Sequence, residues 1–245
     1  MKKPSEWALA VCLCLASPTV LEAANLISHA GSTDPVIEGW NINAVLPGDV
    51  STGPVTGDGA SALDAWFTDD NGSASNVSYA YSLTGQDLAD MTMGWRYSVL
   101  LRVVDVPDPI DFGVSLQIED GSSVWGLIFG SDANANTLWT TFDGSPIQQI
   151  TAGTTDYHLF ELVEEDRQTN GIDVYVDGQL IFSDYVGSAS NRALVAFGDT
   201  SSTAGSGGLA HFAEVRLTAV PIPAAAWLFS SGLLGLIGIA RKRTA

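Results

Sequence analysis

The chain has 245 residues, with 10 Lys+Arg against 28 Asp+Glu, a formal net charge of −18 and two cysteines. So acidic a chain lacks the clustered cations that phosphate recognition needs, which excludes nucleic-acid binding. With 46% hydrophobic and 16% charged residues it is too apolar for a disordered acidic polymer, and two cysteines build neither a disulfide framework nor a four-ligand zinc site.

The N-terminus reads as an export signal. Lys2 and Lys3 precede an apolar run over 7–16, Ser17-Pro18 breaks it, and Ala23-Ala24 supplies small residues for cleavage. That order predicts a secretory signal over 1–23, cut after Ala23 or one residue later. Cys12 and Cys14 both lie inside it, so the mature protein carries no thiol. The body, 24–219, holds five cations, all arginine, against 26 acids, and no lysine.

Within the body, 84–91 reads as a short helix with Thr84 as N-cap and Asp87 in its first turn. From there the period is two. Over 95–104, Trp95, Tyr97, Val99, Leu101 and Val103 share a face; over 111–119, Phe112, Val114, Leu116 and Ile118 alternate with polar residues. Further strands are predicted over 124–129, 138–142, 157–163, 172–176, 179–182, 193–197 and 210–217, with a loop over 200–208. Asp177-Gly178 joins two of them as a type I′ hairpin turn, which needs positive φ at both central residues. Many short strands with Gly/Asp-rich turns predict an all-β antiparallel sandwich of the jelly-roll kind.

The C-terminus, 220–245, combines Val220-Pro221-Ile222-Pro223-Ala224, an uncharged apolar stretch over 222–240, and the cluster Arg241-Lys242-Arg243. As a helix the stretch is just long enough to span a bilayer, with the basic end kept cytoplasmic. These three parts resemble the PEP-CTERM sorting signal, in a form similar to its Val-Pro-Leu-Pro-Ala variant; the namesake central Glu is replaced by Ile222. The resemblance implies recognition and removal of the tail by an exosortase-type membrane protease. The protein would be held at the inner membrane with its body outside, then released to the cell surface or beyond, near exopolysaccharide. The alternative is a permanent single-span anchor.

Tyr157-His158, the hairpin Tyr175-Val176-Asp177-Gly178 and the closing Phe212-Ala-Glu-Val-Arg-Leu217 resemble the concanavalin A-like, laminin-G-like jelly roll. That resemblance implies two stacked antiparallel sheets and, often, glycan or surface binding. Fold alone does not carry function.

Catalytic signals are sparse. His29, His158 and His211 are the three histidines, no two at metal-ligand spacing, and no Gly-x-Ser-x-Gly elbow marks a serine nucleophile. The acids Glu161, Glu164, Glu165 and Asp166 read as a solvated turn rather than a paired-carboxylate site, because Glu161 and Glu164 fall on opposite strand faces. The expectation is a non-catalytic protein, not an enzyme, with a glycan-binding or structural role; the alternative is a polysaccharide-active hydrolase or lyase with carboxylates drawn from separate strands. No cofactor is expected apart from calcium, for which Asp132, Asn134 and Asn136 resemble the start of a ligand loop; Thr137 stands where such a loop needs glycine. For carbohydrate, the candidate is a platform. Arg96 and Arg102, Gln117 and Glu119, and Trp139 all lie on the faces opposite their strands' apolar residues, and an indole among such groups suits a sugar ring if the strands share a sheet. The competing reading places Trp139 in the core. Trp125, aligned with Leu127 and Phe129, is read as core.

Overall fold

The computed structural model describes residues 23–45, 50–69, 76–105, 113–131, 137–144, 146–150, 156–165, 171–199 and 208–220. The expected signal up to residue 22, the expected sorting tail beyond Val220 and the calcium candidates Asp132, Asn134 and Asn136 lie outside the described residues. Among the described residues no helix is long and apolar enough to cross a membrane.

Two antiparallel sheets make the body. In the first, β13 (Gln179–Val186), β12 (Gly171–Val176), β11 (His158–Glu164), β6 (Trp95–Asp105), β16 (Leu209–Ala219), β4 (Leu63–Asp69) and β3 (Ser51–Asp58) lie side by side. In the second the order is β10 (Gln148–Ile150), β9 (Thr137–Thr141), β8 (Ser123–Ser131), β7 (Val114–Asp120), β15 (Ala193–Gly198), β5 (Asn76–Ser82) and β2 (Asn41–Val45). β1 (Ala24–Ala30) joins the first sheet through β16, and β14 (Ser188–Ala189) joins the second through β8. β16 serves two neighbours along one edge: its first half pairs with β4, and after a bulge near Ala213 its second half pairs with β1.

The predicted period-two strands are present because one side of each is buried between the sheets. β6 alternates fully buried and less buried positions along nearly its whole length, with Trp95, Tyr97, Val99, Leu101 and Val103 inward. Facing them from the second sheet are Trp125, Phe129 and Phe197, and Trp95 lies 5.6 Å from Trp125 between ring centres. Each such aromatic or large aliphatic removed from water contributes roughly 1.5–3 kcal/mol. Tyr97 also bridges the layers: its hydroxyl donates to the Ala196 carbonyl of the opposite sheet at 2.9 Å.

Local signals hold where the chain makes its own turn. Asp177 and Gly178 have φ of 51° and 77° and close the β12–β13 hairpin. The helix is α1 (Gly85–Asp90); Thr84 caps it, and Asp87 reaches back to the Thr84 backbone, completing a reciprocal capping box. No strand is predicted before Trp95, yet β1 to β5 precede it. β3 reads Ser-Thr-Gly-Pro-Val-Thr-Gly-Asp, a weak strand by composition that is held in register by β4.

Candidate functional site

The five residues of the expected platform are not assembled on one face. Arg96 and Arg102 lie on β6 in the first sheet, whereas Gln117 and Glu119 lie on β7 in the second. Both pairs face away from the core, so the body of the sandwich separates them. Trp139, on β9, points inward at 2% exposure, with edge-on contacts to Phe160 at 5.9 Å and Phe182 at 5.5 Å. The core reading of Trp139 is the right one; Trp125 is core as expected. Each polar member has a protein partner: Arg96 pairs with Glu161 at 2.8 Å, Arg102 with Asp58 at 3.2 Å, and Glu119 with Arg192 at 2.5 Å and with Gln117.

Two polar constellations are formed instead. The first is a clasp on the outer side of the first sheet. Asp58, at the end of β3, accepts from Tyr157 and from His211 at 2.7 Å each, while its other oxygen faces Arg102. These groups come from four separate stretches of chain, and all are largely buried. Burial alone would raise the Asp58 pKa. The hydrogen bonds from His211 and Tyr157, with the charges of His211 and Arg102, outweigh that and hold it below its ordinary value. Burial and the Asp58 bond push the Tyr157 hydroxyl far up. Ala65, Tyr157 and Ala213 form a small apolar cluster on this sheet, with Leu63 and Leu100 against it. The clasp ties strand ends together.

The second constellation is a cleft of about 330 Å³ where the β9–β10 edge of the second sheet faces β11, β12 and β13 of the first. Trp139, Gln148, Gln149 and Ile150 line one wall; His158, Val176, Asp177, Gln179 and Ile181 line the other. His158 Nδ1 lies 2.8 Å from Asp177 Oδ2, and Asp177 Oδ1 accepts from the Leu159 amide at 2.9 Å. The hairpin turn thus fixes both the carboxylate and the imidazole. His158 Nε2 is buried with no partner among the described residues. Sequence reasoning marked the Asp177-Gly178 turn and the Tyr157-His158 pair but missed the glutamines. Residues 148–150 are too short a strand to show a period, and only the long-range pairing with β9 reveals them.

Chemically, the cleft offers amide donors and acceptors, one carboxylate and one imidazole above an apolar floor. Among the described residues it has no second carboxylate, and no cluster of metal-ligating side chains is present.

No family model matches the chain, and no curated protein matches it. Its sandwich is similar to solved structures. One is a carbohydrate esterase from the Shiga toxin-encoding bacteriophage phi24B, at 12% identity and TM-score 0.60, covering 81% of this chain and all of that one. Another is the cellulose induced protein Cip1, at 12% identity and TM-score 0.50, covering 75% of this chain and 92% of that one. At such identities the likeness is one of fold.

Proposed function

We propose that this chain is an exported, non-catalytic carbohydrate-binding β-sandwich of the concanavalin A-like jelly-roll type. It is delivered by its signal over 1–23 and sorted through its PEP-CTERM-like tail over 220–245 by an exosortase-type membrane protease. It acts at the cell surface, where exopolysaccharide is the polymer it meets. The observation that carries the binding reading is the cleft: glutamine amides, a fixed carboxylate and an imidazole around an apolar floor suit a polyhydroxylated ligand. Two proteins with a similar fold are a carbohydrate esterase and a cellulose-induced protein, which supports the same direction. Binding is favoured over hydrolysis because, among the described residues, the cleft presents a single carboxylate, Asp177, already engaged by His158 and the Leu159 amide; paired-carboxylate hydrolysis needs two.

The test uses the protein recovered from cells that express the whole chain with its export machinery. Intact mass should show loss of the signal and of Arg241-Lys242-Arg243. The purified product should be retained on exopolysaccharide isolated from the same cells and release no reducing ends. A retained Arg-Lys-Arg end overturns the sorting reading, steady release of reducing ends or unsaturated sugars the non-catalytic one, and absence of retention the binding one.

A further inference from the structure

The cleft wall has donors and acceptors but, among the described residues, no arginine or lysine. Its one fixed charge is negative. Asp177 is tethered at the cleft, because Oδ1 accepts from the Leu159 amide and Oδ2 from His158. Carboxylated, sulfated or phosphorylated sugars are recognised by guanidinium or ammonium groups, and none is within the wall. The net charge of the chain adds repulsion.

His158 points to the complementary property. A carboxylate is an acceptor, so the nitrogen facing it, Nδ1, carries hydrogen; in the neutral imidazole Nε2 then presents a lone pair. That lone pair is buried and unpartnered among the described residues. A hydroxyl donor entering the cleft completes it. The side-chain amide of Gln179 has no hydrogen bond among the described residues, and that of Gln148 reaches only the Pro146 carbonyl at 3.2 Å. Each amide offers both a donor and an acceptor, as a sugar hydroxyl does.

From these observations we propose that the cleft binds an uncharged saccharide of one or two pyranose rings. Gln148 and Gln179 bond its hydroxyls from the two walls, and His158 Nε2 accepts from a third. The proposal rests on the carbohydrate-binding reading above and narrows it to a place and a ligand class. A volume of about 330 Å³ is at the small end of ligand pockets, which run to about 1,000 Å³, so a polymer would engage through a short segment or an end. The sugar faces pack on Ile150 and Ile181, since Trp139 is too buried to offer a stacking plane.

Calorimetric titration of the intact exported protein tests this, with cellotetraose and maltotetraose as uncharged probes and tri-galacturonate as the anionic one. Uncharged probes should bind, and Gln148→Ala and Gln179→Ala should each weaken them about three- to tenfold, with melting temperature unchanged. Gln179→Arg should admit tri-galacturonate, which the native protein refuses. If native protein binds tri-galacturonate better than the neutral probes, or if neutral binding is untouched by both glutamine variants, the cleft assignment is overturned while carbohydrate binding stands. Failure of the folded protein to bind any of the three, or its own cells' exopolysaccharide, overturns both.

Discussion

Asp58 and His211, 153 positions apart in sequence, are joined by a 2.7 Å contact between Oδ2 and Nδ1. Tyr157 and Arg102 converge on the same carboxylate from two further strands or strand ends. This carboxylate therefore ties β3, β6, β16 and the start of β11 together across the outer side of the first sheet.

Asp58→Ala should be among the most destabilising single changes outside the inter-sheet core. It leaves a guanidinium, an imidazole and a phenol without their acceptor at a mostly buried place, which costs about 3–5 kcal/mol. Urea unfolding measures the loss; a value near that of an exposed pair would show that solvent replaces the carboxylate.

The same carboxylate makes stability depend on acid. Its folded pKa lies below the ordinary 3.8, because the bonds and charges around it outweigh burial. Its contribution is thus fully present above 3.8 and is lost as pH falls through the lower folded value. The unfolding free-energy difference between native protein and Asp58→Asn should shrink as pH falls below about 4. A difference that stays constant to acid unfolding would contradict this.

Two tyrosines give the alkaline counterpart. Burial pushes Tyr97 and Tyr157 far above the ordinary 10.0, with the Asp58 bond adding to it for Tyr157. A raised folded value means stability held below 10.0 and lost as pH rises beyond it. Ultraviolet titration of the six tyrosines should leave these two un-ionised until the chain unfolds. Tyr97→Phe removes the hydroxyl that links the sheets and should cost about 1–2 kcal/mol.

Trp139→Ala should act first on the fold. The indole is 2% exposed and wedged against Phe160 and Phe182, and truncating a core tryptophan costs about 3–5 kcal/mol. Calorimetric melting decides this, and a variant that melts like the native protein would return Trp139 to the surface.

Gly94→Ala should also be costly. Gly94 has φ of 118°, and an added Cβ would lie 2.4 Å from the Glu164 carbonyl oxygen, which is backbone and cannot turn away. Strain of this kind costs about 1–3 kcal/mol before the clash is counted. Denaturant midpoints check it against Gly178→Ala, where no neighbour lies within 4 Å of the added Cβ.

Local features were legible in the sequence because their causes are local. The alternation of β6, the Asp177-Gly178 turn and the Thr84 cap depend on residues a few positions apart. The strand class followed from the same signals. β1 to β5 were missed: in β3 glycine, proline and polar residues carry little strand preference and pairing with β4 holds the strand, whereas β5 does alternate Val77, Tyr79 and Tyr81.

The candidate site was legible only in part, and β9 shows why. Thr137, Trp139, Thr140 and Thr141 are all buried there, so both faces are covered and alternation does not tell inward from outward. Trp139 among threonines reads as a polar-face indole until β9 is stacked over Phe160. By itself the sequence determined that residues 24–219 form an acidic β domain without lysine or thiol, with particular turns and caps. Which strands share a sheet, and hence that Arg96 and Gln117 lie on opposite layers while Gln148 and Gln179 meet across a cleft, was decided by tertiary structure. Strand order is set by contacts between residues far apart in the chain, and period-two patterning records a strand's buried side without recording its neighbour.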